Sequence, residues 1–138
     1  MNRYLTDDLC NELKNAAEKA SKAIGLNISF AIADESGLPK YFVRFGDALV
    51  LSTILVPAKA FTAAVTETAT QDLEAYVQAG KPLSGINTND PRICLVAGGV
   101  PLKVNGKTIG AFGVGGGSQD QDLAVCKAII EKFNELLS

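Results

Sequence analysis

Apolar positions recur at helical spacing from Leu9 to Ile24, through Leu13, Ala16, Ala17 and Ala20, and predict a first helix. Thr6 stands where an N-cap is needed, Asp7 and Asp8 put carboxylates at the positive end of the helix, and Gly25 offers a stop. The stripe is rich in alanine, so this helix can lie close to whatever it covers. Between 28 and 33 the period falls to two. Ile28, Phe30 and Ile32 alternate with Ser29, Ala31 and Ala33, which predicts a strand with one bulky face and one thin face. The turn residues Asp34, Glu35, Ser36 and Gly37 lead into a second strand over 41–45, where Tyr41, Val43 and Phe45 oppose Phe42 and Arg44. The short connection makes the two an antiparallel hairpin. Arg44 is either a snorkelling edge residue or a pocket cation.

From Ala48 to Thr66 the chain is apolar almost throughout. Residues 48–56 are rich in β-branched side chains, Pro57 interrupts, and 58–66 has helical composition. The pattern predicts a short helix or turn, a break before Pro57, and then a buried helix carrying Lys59. Thr68 and Gln71 have capping-box spacing and predict a further helix to Ala79, stopped by Gly80. Residues 81–91 are dense in Pro, Gly, Asn, Asp and Ser, as in an Ω-type connection or a loop that forms part of a site.

Two apolar runs then flank Asn105-Gly106, the strongest short hairpin signal, because a type I′ turn needs positive φ at both central positions. A two-residue loop pairs Val104 with Lys107, Leu102 with Ile109 and Val100 with Ala111. Those pairs put Val100, Leu102, Val104, Ile109 and Ala111 on one apolar face. The opposite face, with Pro101, Lys103, Thr108, Gly110 and Phe112, is cut away by glycine, as where something packs closely or a ligand approaches. Strands are expected over 92–97, 100–104 and 107–114. Ser118 caps a last helix with Leu123, Cys126, Ile130, Phe133 and Leu137 on its stripe. The order α-β-β-α-α-β-β-β-α predicts an α+β fold, a five-stranded and mainly antiparallel sheet with flanking helices. Residues 1–138 read as a single domain, with no repeat or linker.

Composition narrows the function more than the fold. With 138 residues, 47% hydrophobic and 20% charged, the chain can build one proper core and fits no disordered class. A net charge of -2, with Arg3, Arg44 and Arg92 scattered, argues against nucleic acid. Cys10, Cys94 and Cys126 show neither C-x-x-C nor metal-ligand spacing and read as free buried thiols of a reducing compartment. The first residues lack the apolar core of a signal peptide, and no run has the length of a membrane span, so the chain reads as cytoplasmic without membrane contact. No histidine occurs, which removes Ser-His-Asp and Cys-His catalysis, most zinc sites and histidine-ligated haem.

Two features invite chemistry. The glycine cluster at 113–117, ahead of a helix, suggests a phosphate cradle, but its spacing matches neither Walker A nor G-x-G-x-x-G. Asp120 and Asp122 in the first helical turn would also repel a phosphate. Close packing at a strand-to-helix corner accounts for these glycines, and a neutral or flat ligand on the bare backbone stays open. Lys59 is the one ionisable residue in the middle of the apolar helix. It is a nucleophile or base, a partner for a ligand carboxylate, or a lysine whose stem packs while its head reaches the surface.

AKAFTAA at 58–64, GGVPLKVNGKTIGAFGVGGG at 98–117 and Gln121-Asp122 make the chain similar, over nearly its whole length, to the GlcG/HbpS-like family, which includes the PduO C-terminal domain and OrfY-like proteins. The resemblance implies a profilin-like sandwich from a bacterium, as a homo-oligomer. Some members bind haem or are reported as haem-degrading or redox-sensing, and others accompany glycolate, glycerol or propanediol utilisation. On the motif fall Lys59, Gly98, Gly99, Pro101, Gly110, Gly113, Gly116, Gly117 and Asp122, the ligand-binding set the resemblance implies. Gly115 stands where the family commonly has serine. Without histidine, haem would rely on Tyr4, Tyr41, Tyr76 or a cysteine, or on binding without strong axial ligation. The expectation is a small-molecule-binding or accessory protein with haem or a corrinoid as candidate ligand. Two alternatives remain: an enzyme with Lys59 as base or Schiff-base nucleophile and Asp122 or Arg44 positioning the substrate, and an oligomeric stabiliser of a neighbouring complex.

Overall fold

The computed structural model describes residues 3–137. Its elements are α1 (Asp7–Ala23), β1 (Ser29–Asp34), β2 (Pro39–Arg44), α2 (Val50–Thr66), α3 (Thr70–Val77), a 3-10 turn (Ile86–Thr88), β3 (Gly99–Val104), β4 (Lys107–Gly115) and α4 (Gln119–Leu137). One sheet runs in the order β2-β1-β4-β3 with every pair antiparallel. Helices α1 and α4 pack together over its bulky face, where Phe30, Ile32, Leu102, Phe112 and Val114 meet Leu9, Leu13, Val125, Ile129 and Phe133. Helix α2 covers the thin face, with the start of α3 against β3 at its edge. Among the described residues no single helix is long and apolar enough to cross a membrane.

Local signals set the helix ends. Leu9 N–H donates to Thr6 Oγ1 at 3.1 Å, and Gly25, at φ 67°, closes α1. At α4 the cap is reciprocal: Gln121 N–H donates to Ser118 Oγ, and Ser118 N–H donates to Gln121 Oε1 at 2.8 Å. The buried stripe of α4 is Asp122, Val125, Cys126, Ile129 and Phe133, so Leu123 and Ile130 lie at its margins and Leu137 outside it.

The sheet has four strands, not five. Residues 92–97 are irregular because their backbone groups bond to helix side chains instead of a neighbouring strand. Cys94 N–H donates to Thr62 Oγ1 at 2.8 Å, and Thr70 Oγ1 donates to the Val96 carbonyl at 2.7 Å. Thr70 Oγ1 also accepts from Gly99 N–H at 3.0 Å, where β3 begins. Pro57 breaks nothing: α2 is continuous from Val50 to Thr66. The proline lies on the exposed side, and a missing N–H there removes one hydrogen bond while burial of the other face holds the helix. The Thr68–Gln71 capping box does not form. Thr68 Oγ1 donates to the Thr66 carbonyl, Ala69 is the N-cap residue, and α3 ends at Val77.

The β3–β4 turn is as expected, with Asn105 at φ 52° and Gly106 at φ 79°, and it pairs Val104 with Lys107. Beyond Lys103–Thr108 the register shifts: Leu102 pairs with Gly110, Pro101 with Ala111 and Val100 with Phe112. One extra residue on β4 exchanges the faces of everything after it. Phe112 therefore enters the large core beside Leu102, and Ala111 turns to α2, the reverse of the uninterrupted register.

Candidate functional site

The bulge completes a sheet face made almost wholly of small residues. Beneath α2 lie the rows Ser29–Gly115, Ala31–Gly113–Gly99 and Ala33–Ala111–Pro101. The helix backbone comes down onto the middle row: a Cβ on Gly113 would overlap the Val56 carbonyl and sit 3.0 Å from Ala60 N. Lys59 is on the buried side of α2, 2% exposed.

Its Nζ donates to the Val114 carbonyl at 2.9 Å and lies 3.9 Å from Asp122 Oδ2. The other carboxylate oxygen, Oδ1, accepts from Gly117 N–H at 3.0 Å. Cys126 Sγ sits 3.6 Å from the Gly98 carbonyl. Burial pushes the Asp122 carboxyl up, against the opposing pull of the Gly117 N–H and Lys59. Burial likewise pushes the Cys126 thiol up to about 12, with Asp122 adding to it, which disfavours the thiolate.

Of the motif residues, the fold brings Lys59, Gly98, Gly113, Gly117 and Asp122 together. Gly115 joins them: a Cβ there would lie 3.1 Å from Lys59 Nζ, and one on Gly98 3.0 Å. Gly99 abuts the Lys59 carbonyl and Thr70, and Gly116 the Asn27 carbonyl. Gly110 faces Leu5 and the Ala33 carbonyl, and Pro101 pairs with Ala111. The ammonium cluster is sealed, with Asp122 only 5% exposed, and it ties α2 to the corner between β4 and α4. Arg44 stands apart from it, exposed, with Nε donating to the Ala48 carbonyl at 2.8 Å.

An open site lies on the other flank of α2. A groove of about 620 Å³ runs between α2, β1–β2 and residues 91–95. Ala31, Ala33, Ala58 and Ala60 leave its floor low, while Leu38, Phe42 and Ile54 wall it. At the rim the Arg92 guanidinium lies 4.1 Å over the Phe61 ring and is held by Asp90 at 2.7 Å and 3.1 Å. That pairing holds the Asp90 carboxyl down to about 2. Cys94 also lines the groove. Tyr41 turns its ring to Phe30 on the opposite sheet face, 6.2 Å between centroids, and Tyr76 is exposed on α3. The groove escaped the sequence reading because it depends on where 91–95 folds back. The alternate alanines at 31 and 33 were its visible trace.

Fold and site define a class: an antiparallel α+β sandwich that seats one apolar helix on a thinned sheet face and leaves an open, largely apolar groove at that helix's flank. Residues 5–131 match the family model described as "Haem degrading protein HbpS-like", and the chain belongs to that HbpS-like family. It is similar to an "Uncharacterized 15.0 kDa protein in dhaT-dhaS intergenic region" of Citrobacter freundii, 34% identical over 91% of this chain and 89% of the relative. It is also 32% identical to the "Corrinoid adenosyltransferase PduO" of Salmonella typhimurium, over 90% of this chain but only 37% of that protein. Among solved structures, the "PduOC:Heme Complex" superposes with a TM-score of 0.89 at 31% identity, covering 93% of this chain and 94% of the other.

Proposed function

We propose that this chain is a non-catalytic binding or accessory protein that holds a flat, largely apolar tetrapyrrole, haem or a corrinoid, in the groove between α2 and β1–β2. Its setting would be bacterial glycolate-, glycerol- or propanediol-type metabolism. The observation that carries the reading is the groove itself, whose size and apolar lining suit a small-molecule site. The donor set fits haem without histidine. Cys94 and Tyr41, both of known iron-ligating types, line the groove, though the Tyr41 ring is turned to Phe30, and the Arg92 guanidinium at the rim suits a propionate. Bound there, haem would supply redox and ligand-binding chemistry, while the chain's part is to bury the ring and exclude water. A relative solved with haem supports the ligand class.

The Lys59 nucleophile has no such support, because an ammonium 2% exposed meets no carbonyl substrate without local opening. Haem titration of the purified protein tests the proposal. The expected result is a saturable, one-to-one Soret band that changes position in Cys94→Ser and binds more weakly in Arg92→Gln. Cobalamin is titrated in parallel. Saturation by neither compound, or an unchanged haem band in both variants, overturns the groove as the site. Borohydride trapping of Lys59 on a small aldehyde would revive the enzyme.

A further inference from the structure

Among the residues that line the groove beside α2, Arg92 alone carries a full charge. Its neighbours Phe61, Pro91 and Ile93 offer no counter-ion. The counter-charge comes from outside the lining. The Asp90 carboxylate accepts from Arg92 Nε at 3.1 Å, from Nη2 at 2.7 Å and from the Arg92 backbone N–H at 2.8 Å. The guanidinium rests 4.1 Å over the Phe61 ring, and the Arg92 carbonyl accepts from Thr62 Oγ1 at 3.2 Å. Backbone and head of this arginine are both tied down.

Such a pair adds little to stability. The Arg92 side chain is 64% exposed and that of Asp90 32%, and water screens an ion pair so placed. What the bonding does is fix a planar donor. Asp90 takes the Nε–Nη2 edge, which leaves the Nη1 group and one Nη2 hydrogen without a partner among the described residues. That second edge has the spacing of a carboxylate. An arginine head held in place before a ligand arrives spares binding the cost of ordering it. Asp90 also cancels the charge. Its carboxyl is held down to about 2, so at neutral pH the pair is fully ionised and neutral overall.

We infer that Asp90 and Phe61 are positioning residues, which hold Arg92 so that its free edge takes one carboxylate of the groove's ligand by geometry and not by net charge. The inference rests on the groove as the binding site and narrows its ligand to an apolar body with a carboxylate at the Pro91–Ile93 end. No second cation lines the groove, so any further acidic group of the ligand stays at the mouth, in water. The distinction has a consequence in salt. Attraction to an unpaired cation is screened as ionic strength rises, whereas a neutral pair with a fixed free edge has little long-range field to screen.

The test is equilibrium titration of the full chain with ferric haem and with haem dimethyl ester, whose propionates are masked, from about 0.05 to 0.5 M salt. Wild type should prefer the free acid about tenfold, with a preference that hardly changes across that range. Asp90→Asn keeps an oxygen for the Arg92 backbone N–H, so the loop and the affinity for the ester should be retained. Its unpaired guanidinium should prefer the acid at low salt and lose most of that preference at high salt. Arg92→Lys, a cation without a second edge, should show no preference at any salt. Phe61→Leu, which keeps the lining apolar, should lower the preference. Equal affinity of wild type for acid and ester overturns the inference. So does a wild-type preference that falls with salt as steeply as that of Asp90→Asn. A preference raised at every salt in Asp90→Asn would make Asp90 a competitor of the ligand, and overturns it too. Saturation of wild type by neither compound is a separate result: it removes the groove as the site, and this inference falls with it.

Discussion

Adding one methyl group at Gly113 should lift α2 off the sheet. No left-handed φ is required there, so alanine suits the strand backbone and the only obstacle is space. The new Cβ would meet the Val56 carbonyl, Ala60 N at 3.0 Å and Lys59 Cβ at 3.1 Å. Two of the three are backbone atoms of a helix and cannot step aside singly. Overpacking of a tight core costs about 1–3 kcal/mol, and a backbone obstacle puts this site at ~3 kcal/mol. With an unfolding entropy of about 2.1 cal/mol/K per residue, a chain of this size loses roughly 10 °C in Tm. Gly115 is the internal control. A Cβ there would lie 2.8 Å from Val56 Cγ2 and 3.1 Å from Lys59 Nζ, both side-chain atoms. Val56→Ala removes Cγ2, so Gly115→Ala and Val56→Ala should couple favourably by ~1 kcal/mol or more, while Gly113→Ala and Val56→Ala should only add. Thermal and urea unfolding followed by circular dichroism measure all five variants. A Gly113→Ala Tm within about 2 °C of wild type, or equal coupling at both glycines, would refute the close-packing account.

Two further outcomes follow from buried polar groups. The folded protein raises the Asp122 carboxyl above its unfolded value, so this group's contribution is fully present below about pH 4 and lost as pH rises through the higher folded value. Asp122→Asn should therefore flatten the fall in unfolding free energy across that acid-to-neutral window, and an unchanged pH slope would show that the carboxyl is not raised. Thr62→Val keeps the shape but leaves the buried Cys94 N–H without an acceptor, at a cost of about 1–3 kcal/mol. Hydrogen exchange at the Cys94 amide should quicken in that variant; unchanged protection would mean that Thr62 does not hold 92–97.

Much of the large core was legible. The helical period from Leu9, the Thr6 and Ser118 caps, the two faces of β1 and the Asn105-Gly106 turn all act within a few residues, and each is found in place. The failures share a cause. Residues 92–97 have strand composition, yet their partners are the hydroxyls of Thr62 and Thr70, and no local pattern says so. Pro57 reads as a breaker, but one lost hydrogen bond is small against the burial of the opposite face of α2. The bulge on β4 moved Phe112 and Ala111 to opposite sides of the sheet without any change in composition.

The candidate site divides the same way. By itself the sequence determined that Lys59 sits within an apolar helix, that glycines crowd the β4–α4 corner and that the chain has no histidine, because these are properties of residue type and spacing. Tertiary structure alone decided that Lys59 is sealed against Val114 and Asp122, that an open groove lies on the flank of α2, and that the outer face of α2 stays bare. Whether a side chain is closed, open or unpartnered depends on what a distant segment brings against it, and that follows from the packing of the whole chain.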